Sequence, residues 1–80
     1  MTETTADPRA LIEQIAKWIV EKPDEVFVDY LEGDVIELEV AEDEVGRVIG
    51  RQGRTVRALR TLLNAAGVRA RKRYQLEVID

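Results

Sequence analysis

Two glycines separated by two polar residues, Gly50-Arg51-Gln52-Gly53, stand in a run that carries Arg47, Arg51, Arg54 and Arg57. The chemistry this suits is the capture of a phosphate. A phosphate can lie against backbone only where no Cβ intrudes, and glycine at both ends of the tetrapeptide provides clearance and permits unusual dihedral angles. Gly53 also leads into a helical pattern, and the first N–H groups of a helix lack intrahelical partners and favour an anion. The four arginines would surround the loop with positive charge, and no carboxylate lies near Arg51 or Arg54 in sequence to neutralise them. Gly46, Gly50 and Gly53 do not have the spacing of a dinucleotide-binding fingerprint, and there is no Walker lysine.

Other chemistries have little to work with. The chain has no cysteine and no histidine, which removes disulfides, the usual metal ligands and the usual neutral-pH general base, so neither a catalytic residue, a metal site nor a cofactor is expected. Glu42, Asp43 and Glu44 are read as acids that complement the start of a short helix and face solvent, because no other oxygen-ligand cluster joins them. The net charge of −4 hides a strong polarity. Residues 1–45 hold fourteen acids against three bases, residues 46–80 hold nine bases against two acids, and no acid falls between Glu44 and Glu77. A mildly acidic protein with one basic face has the electrostatic footprint of a phosphate-binding surface.

The elements that must position this loop follow from periodicity. Eighty residues build one core and one domain. Residues 1–6 are expected to form a loose arm and residues 7–80 the domain. Asp7-Pro8 is a helix start, a capping carboxylate followed by proline at the first helical position. The helix should run from Pro8 to about Glu21, with Ile12, Ile15, Ala16 and Ile19 on one stripe and Leu11 and Trp18 at its margin. Val26–Leu31 and Val35–Val40 read as strands joined at Glu32-Gly33-Asp34. A two-turn helix with Val45, Val48 and Ile49 inward precedes the glycine loop, and a second helix from Arg54 buries Val56, Leu59, Leu62, Leu63 and Ala66 until Gly67 caps it. Arg71–Ile79 is the last strand, with Tyr74, Leu76 and Val78 on one side. The order α-β-β-α-α-β predicts an α+β domain, a three-stranded sheet with three helices on one face.

Val48-Ile49-Gly50-Arg51-Gln52-Gly53-Arg54 resembles the V-I-G-x-x-G signature that joins two helices in KH domains, and the element order resembles the type II KH fold. The short length and the ending Lys72-Arg73-Tyr74-Gln75-Leu76-Glu77-Val78 are similar to the KhpA-type family of small bacterial single-KH proteins, over about residues 8–79. The resemblance implies a non-catalytic module whose loop clamps single-stranded RNA while its bases lie in an apolar groove. It also implies an RNA chaperone or regulator that acts with a second KH protein of the KhpB type in cell elongation and shape. By motif position, Val48, Ile49, Gly50, Arg51, Gln52, Gly53 and Arg54 carry this role. Arg47 and Arg57, and an edge of Ile36 or Leu38, are added from the charge pattern and helix geometry.

Two readings stand for Arg60, Arg69, Arg71, Lys72 and Arg73: solvated surface, or added attraction for RNA. Trp18 and Tyr74 are expected in the core rather than stacked on bases. Ala58, Thr61 and Ala65 follow Arg54 along one helix flank, and such small residues would let another helix approach, in a homodimer or in a heterodimer with the second KH protein. A helix-turn-helix-like DNA binder using Arg54 to Arg60 is the alternative from another class, and a protein-interaction module that has lost nucleic-acid binding is a third. No apolar run approaches the roughly 18 residues of a membrane span, and Met1-Thr2-Glu3-Thr4-Thr5 lacks the features of a signal peptide, so a cytoplasmic protein is expected.

Overall fold

The first helix, α1 (Pro8–Ile19), begins as the sequence requires: the Asp7 carboxylate accepts the N–H groups of Arg9 and Ala10, and Pro8 takes the first turn. It stops two residues short of Glu21. The reason lies elsewhere in the chain, because the N–H groups of Glu21 and Lys22 donate to the carboxylate of Glu44 at 2.5 and 3.1 Å and are withdrawn from the helix. Glu44 is therefore buried rather than solvent-facing. The computed structural model describes residues 7–80; the arm expected at residues 1–6 lies outside them.

Strands β1 (Phe27–Leu31) and β2 (Val35–Glu39) form an antiparallel hairpin, and β3 (Gln75–Val78) adds in parallel to β2, giving the order β1-β2-β3. Two successive left-handed residues, Gly33 and Asp34, close the hairpin loop. A parallel neighbour needs a long crossover, and here it is made by α2 (Val45–Ile49) and α3 (Arg54–Ala70). The architecture is α+β, with three helices and a three-stranded sheet in the order α-β-β-α-α-β, punctuated by single 3-10 turns at Pro23–Glu25, Glu42–Glu44 and Arg51–Gly53.

The core lies between the layers. Ile12 and Ala16 of α1, Ile36 and Leu38 of β2, Val48 of α2 and Leu63 of α3 are completely buried, with Val56, Leu59, Tyr74 and Leu76 almost so. Tyr74 packs inward as expected and meets Tyr30 edge-on at 5.9 Å. Trp18 does not: it is 74% exposed, because two residues on from Ala16 the helix has turned it away from the buried stripe. Leu62 is also largely exposed, at the margin of the α3 face rather than on it.

Gly67 does not end α3. The helix continues to Ala70 and is capped by Arg71 in the left-handed conformation (φ 57°), which costs a residue with a Cβ about 1 kcal/mol. Gly67 serves another purpose: the chain doubles back so that Lys72 N–H donates to Gly67 O at 2.9 Å, and a Cβ there would collide with the Lys72 carbonyl. The sheet's outer face is open and acidic, since Asp29, Glu37 and Glu77 are cross-strand neighbours in a row across all three strands. Among the described residues, no helix is long and apolar enough to cross a membrane.

Candidate nucleic-acid interface

The glycine loop lies between α2 and α3, held from beneath by Val48, which is completely buried. Its side chain therefore supports the loop and cannot itself touch a ligand; Ile49 is half-buried at the same junction. Gly50 has φ 80° and ψ 168°, a conformation reserved for glycine, and Gln52 (φ 58°, ψ 26°) and Gly53 (φ 74°, ψ 17°) are both left-handed.

The two glycines do different work. A Cβ on Gly50 would stand 2.7 Å from Thr55 Cβ and 2.8 Å from Thr55 N, so that glycine clears space for the first turn of α3 and not for a ligand. Gly53 faces open space, with the Arg57 guanidinium 3.6 Å from where its Cβ would be. The open space beside the loop backbone is thus at the second glycine.

The amides also divide. Gly50 N–H donates to Gly46 O at 2.9 Å, Gly53 N–H to Gly50 O at 3.0 Å, and Arg54 N–H to Arg51 O. The start of α3 is thus less free than a bare helix terminus. Arg51 has a negative φ and Gln52 is left-handed, and a right-handed residue followed by a left-handed one turns consecutive amides toward a concave, anion-binding nest.

Around this nest the arginines are not equivalent. Arg51 and Arg54 are exposed and have no ion-pair partner among the described residues. Arg57 donates to Gln52 O at 2.6 Å, bracing the loop while leaving its charge uncompensated. Arg47 is drawn off toward the acidic half of the molecule, 3.6 Å from Glu21 and 3.9 Å from Glu44.

Ile36 and Leu38 are completely buried on the central strand and cannot line a groove. The strand beside α3 at the sheet's edge is β3. Between them lies a concavity of about 400 Å³ lined by Arg60, Asn64, Tyr74, Gln75, Leu76 and Glu77, with Arg60 Nη2 donating to Leu76 O at 3.2 Å across it. Nothing in the sequence marks β3 over β2 for this place, because both alternate apolar and polar residues; the distinction comes from the parallel pairing. Thr55 behind Gly50 and the buried Glu44 likewise carry no local signal.

A sequence model of the family described as KhpA/KhpB, KH domain, matches residues 9–78. The chain is 47% identical over 73 residues to the RNA-binding protein KhpA of Borreliella burgdorferi, spanning 88% of this chain and 89% of the relative. It is 47% identical over 73 residues to that of Aquifex aeolicus, spanning 88% and 92%. For that of Halalkalibacterium halodurans the identity is 43% over 75 residues, spanning 90% and 99%. No solved structure gives a significant match.

Proposed function

The chain belongs to the KhpA/KhpB KH-domain family, and on that premise we propose that it is a non-catalytic RNA-binding protein that grips one phosphate of a single strand at the Arg51–Gln52 nest and lays the adjoining bases along α3 and β3. The observation that carries this reading is the left-handed turn at Gln52 and Gly53, open at Gly53, beside exposed Arg51 and Arg54 that have no ion-pair partner among the described residues. Backbone donors read phosphate and not sequence, so affinity is modest and base preference weak, with specificity left to the groove.

The same reading extends to partners. Ala58, Thr61 and Ala65 are exposed along one flank of α3, joined by Leu62 at 44% and Val68 at 76% exposure. The Thr61 hydroxyl donates to Arg57 O at 3.1 Å, so its polar atom is satisfied within its own helix. This flank suits a second KH domain, either another copy or a KhpB-type protein, and pairing would add avidity to a small site. A cytoplasmic role as RNA chaperone or regulator in cell elongation and shape follows from the same family resemblance.

The test is a binding titration at fixed salt with single-stranded RNA and with duplex DNA, on the native chain and on Arg51→Asp/Gln52→Asp. The native chain should prefer RNA, and the variant should lose binding while keeping its circular dichroism. Equal affinity for duplex DNA would favour the helix-turn-helix reading; undiminished RNA binding by the variant would remove the loop from the site.

A further inference from the structure

A second basic concavity lies at the far end of α3. It measures about 530 Å³ and is lined by Asn64, Gly67, Val68, Arg71, Lys72 and Arg73. Asn64 also lines the concavity between α3 and β3, so the two adjoin at that residue. We infer that this end of the groove is a second phosphate-binding surface, which takes the backbone of single-stranded RNA that runs on past the bases seated between α3 and β3.

Three observations support it. Arg71 and Arg73 have no ion-pair partner among the described residues, while Lys72 is partly engaged, 3.8 Å from Asp34 and 5.9 Å from the Tyr30 ring centre. A concave surface bearing cations of one sign focuses its field outward and attracts polyanions. The third is conformational. Arg71 occupies the left-handed position after the helix, where glycine is the usual occupant. The negative end of the helix dipole accounts for a cation in the last turn, Arg69, but does not require an arginine at a position that disfavours any Cβ. A strained residue beside a charged hollow points to use of the guanidinium.

The separation sets what the ligand must be. A 17-residue helix is about 25 Å long, so the two phosphate surfaces stand at opposite ends of it. A KH groove holds about four nucleotides, and only a longer strand reaches both. The inference rests on the RNA-binding reading above but can fail separately from it.

The experiment measures affinity by fluorescence anisotropy for a labelled single-stranded RNA of about four nucleotides and for one roughly three times as long. It uses the full chain, Arg71→Gly/Arg73→Gln, and Arg51→Asp/Gln52→Asp. Glycine suits the backbone at position 71, so the first variant should keep or raise its melting temperature. The native chain should bind the longer RNA more tightly. The Arg71→Gly/Arg73→Gln variant should lose that gain, keep its affinity for the short RNA, and show a slope of log affinity against log salt shallower by about 1.4 for two lost single-strand phosphate contacts.

No gain with length in the native chain, or an equal loss for both lengths, overturns the proposal. So does unchanged long-strand binding alongside lost binding to anionic lipid vesicles, which would assign the surface to a membrane. Survival of short-strand binding in Arg51→Asp/Gln52→Asp would overturn the loop reading and leave the second surface to be judged on the long strand alone.

Discussion

Gly50 and Thr55 meet where no side chain can stand between them: a Cβ on Gly50 would lie 2.8 Å from the Thr55 backbone nitrogen. Thr55 belongs to the first turn of α3, so the contact ties the loop's entry to the helix that leaves it. Gly50→Ala should therefore cost about 2–3 kcal/mol, from steric overlap added to a glycine-only conformation. Gly53→Ala meets open space and should cost only about 1 kcal/mol, the left-handed penalty. Urea denaturation of both variants checks the order, and a reversal would mean the loop can rearrange around Thr55.

Glu44 ties the end of α1 to the start of α2. Its carboxylate holds the amides of Glu21 and Lys22, and replacing it by alanine would leave both without a partner in a part-buried place. Glu44→Ala should lose about 2 kcal/mol in urea unfolding. Glu44→Gln, which keeps one acceptor, should lose less.

Tyr30 donates to Asp34 at 2.5 Å, and this hydrogen bond holds its phenol above the ordinary value of 10.0. The neutral form is the one favoured by folding. Its contribution is thus complete below pH 10.0 and is lost as pH rises through the raised folded value. Lys72 is raised in the same way above 10.5, first by its contact with Tyr30, so both losses fall on the alkaline side. In a Tyr74→Phe background, ultraviolet titration should show Tyr30 ionising late, and Asp34→Asn should bring it back toward the ordinary value.

At the acid end the sign reverses. Asp43 is held below 3.8 by its hydrogen bond and ion pair with Lys22 at 3.1–3.2 Å, so the contribution of this pair is present above that value and lost as pH falls below it. Both side chains are exposed, and the effect should be small and screened by salt. Asp43→Asn should flatten the acid limb of a stability-against-pH curve and, because Asp43 also holds Lys22 above its ordinary value, remove a small part of the loss at the alkaline end as well.

On the proposed pairing flank, Thr61→Arg places a long cation among Ala58, Leu62 and Ala65. Sedimentation equilibrium should then report monomers for the variant and a larger mass for the native chain. An unchanged mass would move pairing to another surface.

Much of this was legible in the chain because it is local. The Asp7 cap, the hairpin at Gly33, the two helices that flank the glycine loop and the inward Tyr74 each follow from neighbours within a few residues, and so does the glycine loop. What was hidden depends on contacts distant in sequence. Nothing near Glu44 says that it will take amides from residues 21 and 22, and nothing near Gly67 says that residue 72 will cross it. Trp18 failed for a different reason: hydrophobicity argues for burial, but position on the helix decides it.

The row Asp29, Glu37 and Glu77 gives the domain a back that repels polyanions. A nucleic-acid strand leaving the helical side and bending round the sheet would meet mounting opposition from carboxylates that have no ion-pair partner among the described residues. The strand is driven to depart straight rather than wrap.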